Sequence, residues 1–205
     1  MKLLVSAGPT REFIDPVRFV SNASSGKMGY ALAAEGARRG HEVTLVSGPT
    51  ALPAPEGVVR IDVVTASEMA EALKARFPAC DACIMCAAVA DYRPVKVFER
   101  KMKKGEGNLV LEFERTEDIL KTLGGMKKEG QLLIGFAAES ENLLENAADK
   151  LVRKNLDWIV ANRISDGFAT STNACVLLGR NGEDIPFTLR PKTELAAALF
   201  DALGF

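Results

Sequence analysis

Two stretches of the sequence are apolar on both faces of an extended strand, and this feature limits the fold more than any other. They read ACIMCAAVA at 82–90 and LLIGFAAE at 132–139. Strands buried on both faces are typical of parallel sheets that helices cover on each side. We therefore expect strands and helices to alternate along the chain.

The other local signals alternate in this way. Further strands are predicted at 2–8, 42–48, 58–64, 109–115 and 157–162, and helices at 26–39, 65–78, 116–123, 141–155 and 192–205. Thr65 and Glu68 form a capping-box pattern, Thr116 is the expected cap of the third helix, and Asn181-Gly182 is a hairpin turn. The predicted fold is a single α/β domain over residues 1–205. It is a Rossmann-like, doubly wound, mainly parallel sheet with an antiparallel hairpin near the C-terminus.

The composition argues against several classes of protein. The 205 residues carry a formal net charge of −1, which gives no general electrostatic reason to expect nucleic acid or a membrane as a partner. No apolar stretch approaches the roughly 20 residues of a membrane-spanning helix. Four cysteines in a chain of this length are typical of a reducing compartment, and we expect the cytoplasm.

The spacing of Cys80, Cys83 and Cys86 could suggest a metal site. Alternate side chains of a strand point to opposite faces, so Cys83 and Cys86 would face apart. We therefore expect small core residues here, and the sequence identifies no metal-binding residues.

Ligands of a doubly wound sheet bind beyond the carboxyl ends of its strands. This rule singles out four connections, at 8–22, 87–94, 135–142 and 161–168. The first has fifteen residues where such loops usually have about two to six, which favours a functional loop. It leads into NASSGKMG, which brings Ser24 and Ser25 to a helix N-terminus suited to a phosphate or carboxylate. A simple serine cap is the alternative.

Other residues near this edge have two interpretations each. Lys150 and Lys154 share a helix face with no acidic residue three or four positions away in that helix, which suggests either a polyphosphate site or a solvated basic face. Phe136 could stack on a base or belong to the core, and Asp91 could bind a ribose or base or cap a turn. The basic run at 99–104 could be a flap over phosphates or a solvated loop.

Taken together, these motifs resemble the phosphopantothenoylcysteine synthetase domain of bacterial coenzyme A biosynthesis. The segments that carry the resemblance are SAGPTREFIDPVRFVSNASSGKMGYALA at 6–33, AAVADYRP at 87–94, KMKK at 101–104, GFAAES at 135–140 and KLVRKNLDWIVAN at 150–162. In that family the domain usually follows a flavin-dependent decarboxylase. Since this chain begins beside its first strand, we expect either a stand-alone synthetase or an excised domain.

The resemblance implies a ligase that joins 4′-phosphopantothenate to L-cysteine. In such enzymes the substrate carboxylate attacks the α-phosphorus of CTP to give an acyl-cytidylate and pyrophosphate, and the cysteine amine then displaces CMP. The resemblance also implies a divalent cation, Mg²⁺, with the triphosphate, a homodimer whose flap reaches toward the neighbouring subunit, and an association with a decarboxylase domain. ATP in place of CTP stays open, because base choice depends on the shape of the pocket.

The resemblance assigns roles to residues in the matching motifs. Asn22 corresponds to an essential asparagine that acts on the acyl-cytidylate, and Lys101 to a flap lysine that closes over the intermediate. The implied nucleotide-binding residues are Asp91, Glu117, Asp118, Ile119, Leu120, Phe136, Lys150 and Lys154. The implied substrate-binding residues are Ser24, Ser25, Gly26 and Ala88. Glu117 stands where the family more often has proline.

Two other functions fit part of the pattern. A Rossmann oxidoreductase needs G-x-G-x-x-G after the first strand and an acidic residue closing the second, but the chain has SAGPTRE and LVSGP there. A non-catalytic nucleotide-binding module would bind CTP without releasing pyrophosphate. The motifs favour the ligase over both.

Overall fold

The fold is built from twelve strands, six α-helices and one short 3₁₀ helix (Phe77–Ala79) in the part of the chain that the computed structural model describes, residues 1–167 and 170–205. The strands are β1 (Lys2–Ala7), β2 (Arg11–Phe13), β3 (Phe19–Ser21), β4 (Glu42–Ser47), β5 (Val58–Asp62), β6 (Ala82–Met85), β7 (Tyr92–Pro94), β8 (Phe113–Arg115), β9 (Leu132–Glu139), β10 (Trp158–Arg163), β11 (Thr172–Gly179) and β12 (Asp184–Pro191). The helices are α1 (Lys27–Arg38), α2 (Ala66–Arg76), α3 (Ile119–Met126), α4 (Leu143–Arg153), α5 (Ile164–Gly167) and α6 (Lys192–Leu203).

The strand order of the main sheet determines where a ligand can bind. Eight strands lie in the order β12-β11-β10-β9-β6-β1-β4-β5. All neighbours from β10 to β5 pair in parallel, while β11 pairs antiparallel with both β10 and β12. The chain passes from β1 to β4 on one side and later to β6 on the other, so a switch point lies between β1 and β6. The predicted Rossmann-like, doubly wound sheet with its antiparallel hairpin is confirmed.

Helices cover both faces of the sheet, as strands that are apolar on both faces require. On one face, Leu32 of α1 and Phe200 of α6 are buried in one apolar cluster. On the other face, Leu123 of α3 and Leu151 of α4 are buried in a second cluster. Within the described residues, no helix combines the length and apolar character needed to cross a membrane.

The strand predicted at 82–90 is confirmed only as the shorter β6. The residues that follow leave the sheet because their amides find other acceptors. Ala87 N–H donates to Ser6 Oγ at 3.1 Å, and Ala90 N–H donates to Thr10 Oγ1 at 2.9 Å. The prediction of a strand as far as residue 90 was therefore wrong, and this part of the apolar run forms a loop at the carboxyl edge.

Helix α3 begins later than predicted. Asp118, not Thr116, is its N-cap, and its side chain accepts a hydrogen bond from Lys121 N–H at 3.1 Å. Thr116 instead donates through Oγ1 to the carbonyl oxygen of Ala90 at 2.6 Å. The hydroxyl thus ties the connection before α3 to the loop after β6.

The long first connection contains a hairpin. β2 and β3 pair antiparallel, and Asn22 follows β3 directly. A second ribbon, formed by β7 and β8, packs beside β2. The segment 95–112 between the strands of this second ribbon contains no helix or strand.

Candidate functional site

A cleft of about 630 Å³ lies beyond the carboxyl ends of β6 and β9, beside the N-terminus of α1. It is lined by twelve of the fourteen predicted site residues: Ser24, Ser25, Gly26, Ala88, Asp91, Glu117, Asp118, Ile119, Leu120, Phe136, Lys150 and Lys154. Asn22 and Lys101 lie outside this lining. The twelve come from distant parts of the sequence and meet because parallel strands end at the same edge of the sheet. Their individual roles stay predictions.

The N-terminus of α1 opens into the cleft without a side-chain cap. Its N-cap is Gly26 with φ 76°, and no side chain of the described residues forms a capping hydrogen bond there. Ser24 Oγ accepts the N–H of Gly26 at 3.3 Å, so the alternative of a simple serine cap was wrong. Gly29 lets the helix approach β1 closely, since a Cβ there would lie 2.5 Å from the Cβ of Ala7. The free N–H groups and the helix dipole favour an anion at this end.

Lys150 and Lys154 lie together on the other side of the cleft. Lys154 Nζ donates to Asp118 Oδ1 at 2.8 Å, and Lys150 Nζ donates to the carbonyl oxygen of Phe136 at 2.9 Å. The prediction of two unpaired cations was wrong for Lys154, because its partner belongs to the start of α3 and not to its own helix. The pair nevertheless brings two positive charges to the end of β9.

The electrostatics of this lysine pair favour an incoming anion. Burial lowers the pKa of Lys150, and the nearby charge of Lys154 lowers it further. Burial alone would raise the pKa of Asp118, but the hydrogen bonds from Lys154 and from Lys121 N–H outweigh burial and lower that pKa. A polyphosphate would stabilise the charged form of Lys150 and could replace Asp118 as the partner of Lys154.

The segment at the start of α3 forms one wall of the cleft. Glu117 pairs with Lys74 of α2 at 2.8 Å, and this hydrogen bond lowers the pKa of Glu117. Ile119 and Leu120 are buried, so they join the wall to the core. Phe136 is half-buried and packs against the apolar cluster on the α1 face while it also lines the cleft. Phe136 therefore belongs partly to the core, and its contact with a base stays a prediction.

Asn22 holds the loop that follows β6. Its Nδ2 donates to the carbonyl oxygens of Ala88 at 3.0 Å and Val89 at 3.1 Å. Both amide hydrogens are used in this way, and the loop they hold lines the cleft. At the end of the same loop, the Asp91 carboxylate accepts no hydrogen bond from any described residue, so it does not cap a turn.

Lys101 lies exposed on the segment 95–112, beside the β2–β3 hairpin and not in the cleft lining. Hydrogen bonds at Phe98 and Met102 attach this part of the segment to the turn of the hairpin. The structure thus places both predicted catalytic residues on or beside the same hairpin.

Sequence reasoning missed several polar residues at the far end of the cleft. Lys27 at the start of α1, Lys192 at the start of α6 and Asn162 in β10 all line it. Asn173 of β11 lines it too, and its Oδ1 is buried with no hydrogen-bond partner in the described structure. Asn162 could have been predicted, because it lies at the end of a predicted strand. No local sequence pattern reveals Asn173 or Lys192, which lie in and directly after the antiparallel hairpin. Phe168, the last residue of the fourth predicted connection, lies outside the described residues.

The cysteines do not form a reactive centre or a metal site in the described structure. Among the side chains that the structure describes, which do not include those of residues 166–169, no group of three His, Cys, Asp or Glu residues could hold a metal ion. Cys83 is buried, and Cys86 lines the cleft. Burial raises the pKa of the Cys86 thiol to about 12, so the thiol stays protonated near neutral pH and is a poor nucleophile.

Comparison with known proteins places the chain beside one family of domains. The matching family model is described as the DNA/pantothenate metabolism flavoprotein C-terminal domain and covers residues 1–204. A protein of an unknown prokaryotic organism, named cysteine/cysteine sulfinic acid decarboxylase, is 47% identical over 96% of this chain and 56% of its own length. The coenzyme A biosynthesis bifunctional protein CoaBC of Bacillus subtilis (strain 168) is 46% identical over 98% of this chain and 50% of its own length.

A solved structure agrees with these sequence relationships. The crystal structure of the C-terminal domain of coenzyme A biosynthesis bifunctional protein CoaBC matches with a TM-score of 0.86 and 46% identity, and covers 98% of this chain and 93% of that one. The chain spans about half the length of the curated relatives it matches. These findings correct the family named from the motifs, CTP-dependent bacterial phosphopantothenoylcysteine synthetase. The model that matches is the flavoprotein C-terminal domain, and the similarity is to one domain of the bifunctional relatives, not to their full length.

Proposed function

The chain belongs to the family of the DNA/pantothenate metabolism flavoprotein C-terminal domain, and on this basis we propose that it is a phosphopantothenate–cysteine ligase. It joins 4′-phosphopantothenate to L-cysteine, while CTP is converted to CMP and pyrophosphate through an acyl-cytidylate. The relative named for coenzyme A biosynthesis and the charges in the cleft support this proposal.

One observation carries the proposal: a single cleft combines the uncapped N-terminus of α1 with the lysine pair of α4. The reaction requires a carboxylate oxygen to attack the α-phosphorus of a triphosphate, and two anions repel each other unless cations or dipoles offset their charge. Fixed charges on both sides of one cleft can bind the two anionic substrates and orient them for in-line attack.

The nucleotide occupies the side formed by β9, α3 and α4. Lys150 and Lys154 bind its phosphates, Phe136 contacts the base, and Asp91 binds the ribose or base. Mg²⁺ would accompany the triphosphate and offset part of its charge; a single carboxylate of the cleft lining, from Asp91, Glu117 or Asp118, would add an oxygen ligand to those of the phosphates and water. An ion held mainly by phosphate oxygens and water needs no dedicated protein cluster.

The organic substrate occupies the side formed by α1 and the loop after β6. Ser24, Ser25 and Gly26 surround the helix N-terminus, which suits the phosphate of 4′-phosphopantothenate. Ala88 belongs to the loop that Asn22 holds. On this arrangement the substrate runs from the helix N-terminus toward the nucleotide, with its carboxylate near the middle of the cleft.

Asn22 and Lys101 act on the reacting groups. The Asn22 amide exchanges one of its two loop carbonyls for the oxygen on which charge develops, and it stabilises that oxygen as an oxyanion hole does. Lys101 closes over the intermediate together with the β2–β3 hairpin, to which its segment is attached on both sides of the lysine. Closure excludes the water that would otherwise hydrolyse the acyl-cytidylate.

The cysteine amine then completes the reaction. The amine attacks the acyl carbon, the bond to the CMP oxygen breaks, and the amine loses a proton as the amide forms. CTP supplies the activation, so no side chain forms a covalent bond with the substrate.

The exposed apolar residues favour a homodimer. Nine of the fifteen large apolar side chains that are exposed in the described structure lie on the two ribbons or the segment after β7: Val17, Phe19, Val20, Tyr92, Val95, Val97, Leu109, Val110 and Phe113. A second copy of the chain would bury this surface. Val20→Glu is expected to shift the sedimentation of the protein toward the monomer, whereas Val59→Glu, in the edge strand β5 of the main sheet, is not.

The proposed reaction also suggests the compartment of the enzyme and a domain with which it associates. We place it in the cytoplasm, and in association with a phosphopantothenoylcysteine decarboxylase domain that consumes the product. The bifunctional relatives support this association.

Pyrophosphate release tests the proposal. The chain is incubated with Mg²⁺, 4′-phosphopantothenate and either CTP or ATP, with and without L-cysteine. We expect turnover with cysteine and CTP, and a single burst without cysteine, because the acyl-cytidylate then has no acceptor. A nucleotide-binding module without catalysis would release no pyrophosphate in any mixture.

The decarboxylase name of one relative provides a second outcome to measure. The match covers 56% of that relative's length. The decarboxylase activity in its name can therefore belong to the part of the relative that this chain does not match. Incubation with cysteine alone, followed by measurement of carbon dioxide, separates the two activities. The ligase predicts no carbon dioxide under these conditions.

A further inference from the structure

The turn of the β2–β3 hairpin holds the residue that follows Lys101. Asp15 Oδ2 accepts the N–H of Met102 at 3.2 Å. Arg18 Nη2 donates to the carbonyl oxygen of Met102 at 2.6 Å. Both backbone polar groups of Met102 are therefore bound by side chains of one turn.

A second attachment lies on the other side of Lys101. Phe98 N–H donates to the carbonyl oxygen of Ile14, in the same turn, at 2.9 Å. The segment 95–112 has no helix or strand, so it has no backbone ladder of its own. In the described structure its residues 103–111 make no backbone hydrogen bond, and the attachments are thus concentrated around Lys101.

The environment of Asp15 fits a fixed attachment point. Its side chain is completely buried, and Oδ1 also accepts the N–H groups of Val17 at 2.8 Å and Arg18 at 2.9 Å. Burial alone would raise the pKa of Asp15. The three backbone hydrogen bonds that the carboxylate accepts, together with the charge of Arg18, outweigh burial and lower this pKa. The carboxylate is therefore charged near neutral pH and binds Met102 through a charge-assisted hydrogen bond.

We propose that Asp15 is a positioning residue for Lys101, an inference that rests on the ligase reaction proposed above. The hairpin that contains Asp15 in its turn runs directly into Asn22. One ribbon thus carries the catalytic amide at one end and fixes the segment of the catalytic lysine at the other. Such a link limits how far the two groups can separate, which favours the geometry that the reaction needs.

Two variants and two matched controls test this role. Asp15→Asn weakens the hydrogen bond to Met102, and Asp62→Asn changes an exposed carboxylate on β5 as its control. Met102→Pro removes the N–H that Asp15 accepts while Asp15 and its turn stay intact, so the test holds even if Asp15→Asn does not fold. Ala54→Pro, at an exposed loop N–H that has no acceptor in the described structure and lies outside the cleft and the segment 95–112, is the control for proline.

Hydrogen exchange and kinetics give separate results. In Asp15→Asn we expect exchange in the peptide 97–104 to rise and kcat to fall, each about 10-fold, with KM for CTP unchanged, since a charge-assisted bond is lost outside the nucleotide site. Met102→Pro is expected to lower kcat similarly, and both controls to match wild type. Unchanged exchange in Asp15→Asn, or a defect confined to KM, would overturn the proposal. If wild type releases no pyrophosphate, the ligase proposal fails, and the exchange comparison still decides whether Asp15 holds the segment.

Discussion

Lys154 Nζ lies 2.8 Å from Asp118 Oδ1, although the two residues are 36 positions apart in the sequence. The contact joins the end of α4 to the start of α3 across the proposed nucleotide side of the cleft. Asp118 keeps Lys154 in place while no phosphate is bound, and a phosphate would compete for the same ammonium group.

Replacing Lys154 should therefore weaken nucleotide binding. We expect Lys154→Gln to raise the Kd for CTP by about 10-fold or more, because a hydrogen bond to a charged group contributes about 1.5–3 kcal/mol. Isothermal titration measures the change. Arg153→Gln, on the same helix with its side chain 55% exposed, is the control and should bind CTP like wild type. Equal affinities in all three proteins would contradict the placement of the triphosphate.

The unpartnered oxygen of Asn173 predicts opposite effects on stability and function. Leucine has nearly the same shape as asparagine, so Asn173→Leu removes a buried, unsatisfied acceptor without leaving a cavity. We expect the free energy of unfolding to stay the same or rise by about 1–3 kcal/mol, as measured by urea denaturation. We also expect KM for 4′-phosphopantothenate to rise, because a bound substrate would supply the missing donor.

Asn162→Leu is the matched control for stability. The Asn162 amide donates to the carbonyl oxygen of Arg163 at 2.9 Å, so this variant loses a formed hydrogen bond and should be destabilised. If Asn173→Leu is destabilised as strongly as Asn162→Leu, the oxygen of Asn173 has a partner in the free protein and the prediction is wrong.

The close packing of α1 on β1 predicts a difference between two helical glycines. Alanine normally stabilises a helix relative to glycine by about 1 kcal/mol, and Gly125→Ala in α3 should show this gain because nothing lies within 4 Å of its added Cβ. Gly29→Ala should instead lose stability, since its Cβ would lie 2.9 Å from the carbonyl oxygen of Ser6. Thermal unfolding compares the two. A gain in both would mean that α1 can move away from β1 at little cost.

Glu35 predicts how stability depends on pH. Hydrogen bonds from Arg38, and then from Arg39, outweigh burial and lower the pKa of Glu35 from 4.5 to about 2. A carboxylate whose pKa is lower in the folded state stabilises the fold above its unfolded pKa, and this contribution disappears as the pH falls toward the folded value. At 1.36 kcal/mol per pKa unit, the contribution at pH 7 is at most about 3 kcal/mol.

Glu35→Gln should therefore be less stable than wild type at pH 7, and the difference should shrink as the pH falls from about 4.5 toward 2. Urea denaturation at several pH values between these limits and pH 7 measures it. A difference that stays constant over this range would show that Arg38 and Arg39 do not stabilise the charged carboxylate.

The sheet and most of the cleft could be predicted because each rests on a local pattern. Doubly apolar runs such as 132–139 indicate buried parallel strands, and the carboxyl edge of a parallel sheet brings distant residues together. The presence of twelve predicted binding residues in the cleft lining follows from that rule and from the motifs. The end of β6 was missed because the side chains of Ser6 and Thr10 compete for amides that an isolated strand would offer to the sheet.

Side-chain partners between distant elements could not be predicted. The absence of an acidic neighbour in α4 suggested free lysines, whereas Asp118 reaches Lys154 from another helix. Lys192 and Asn173 enter the cleft only because the antiparallel hairpin folds back beside β10. Such contacts depend on the packing of whole elements, and no local spacing in the sequence carries that information.

Transfer of an oxygen isotope tests the central claim most directly: that the triphosphate, and not a side chain, activates the substrate. 4′-Phosphopantothenate labelled with ¹⁸O in its carboxylate is incubated with the chain, CTP, Mg²⁺ and L-cysteine, and the nucleotide and pyrophosphate products are analysed by mass spectrometry. Attack of the carboxylate on the α-phosphorus places one ¹⁸O atom in CMP and none in pyrophosphate. Label in pyrophosphate, or product formed with no label in CMP, would contradict the account.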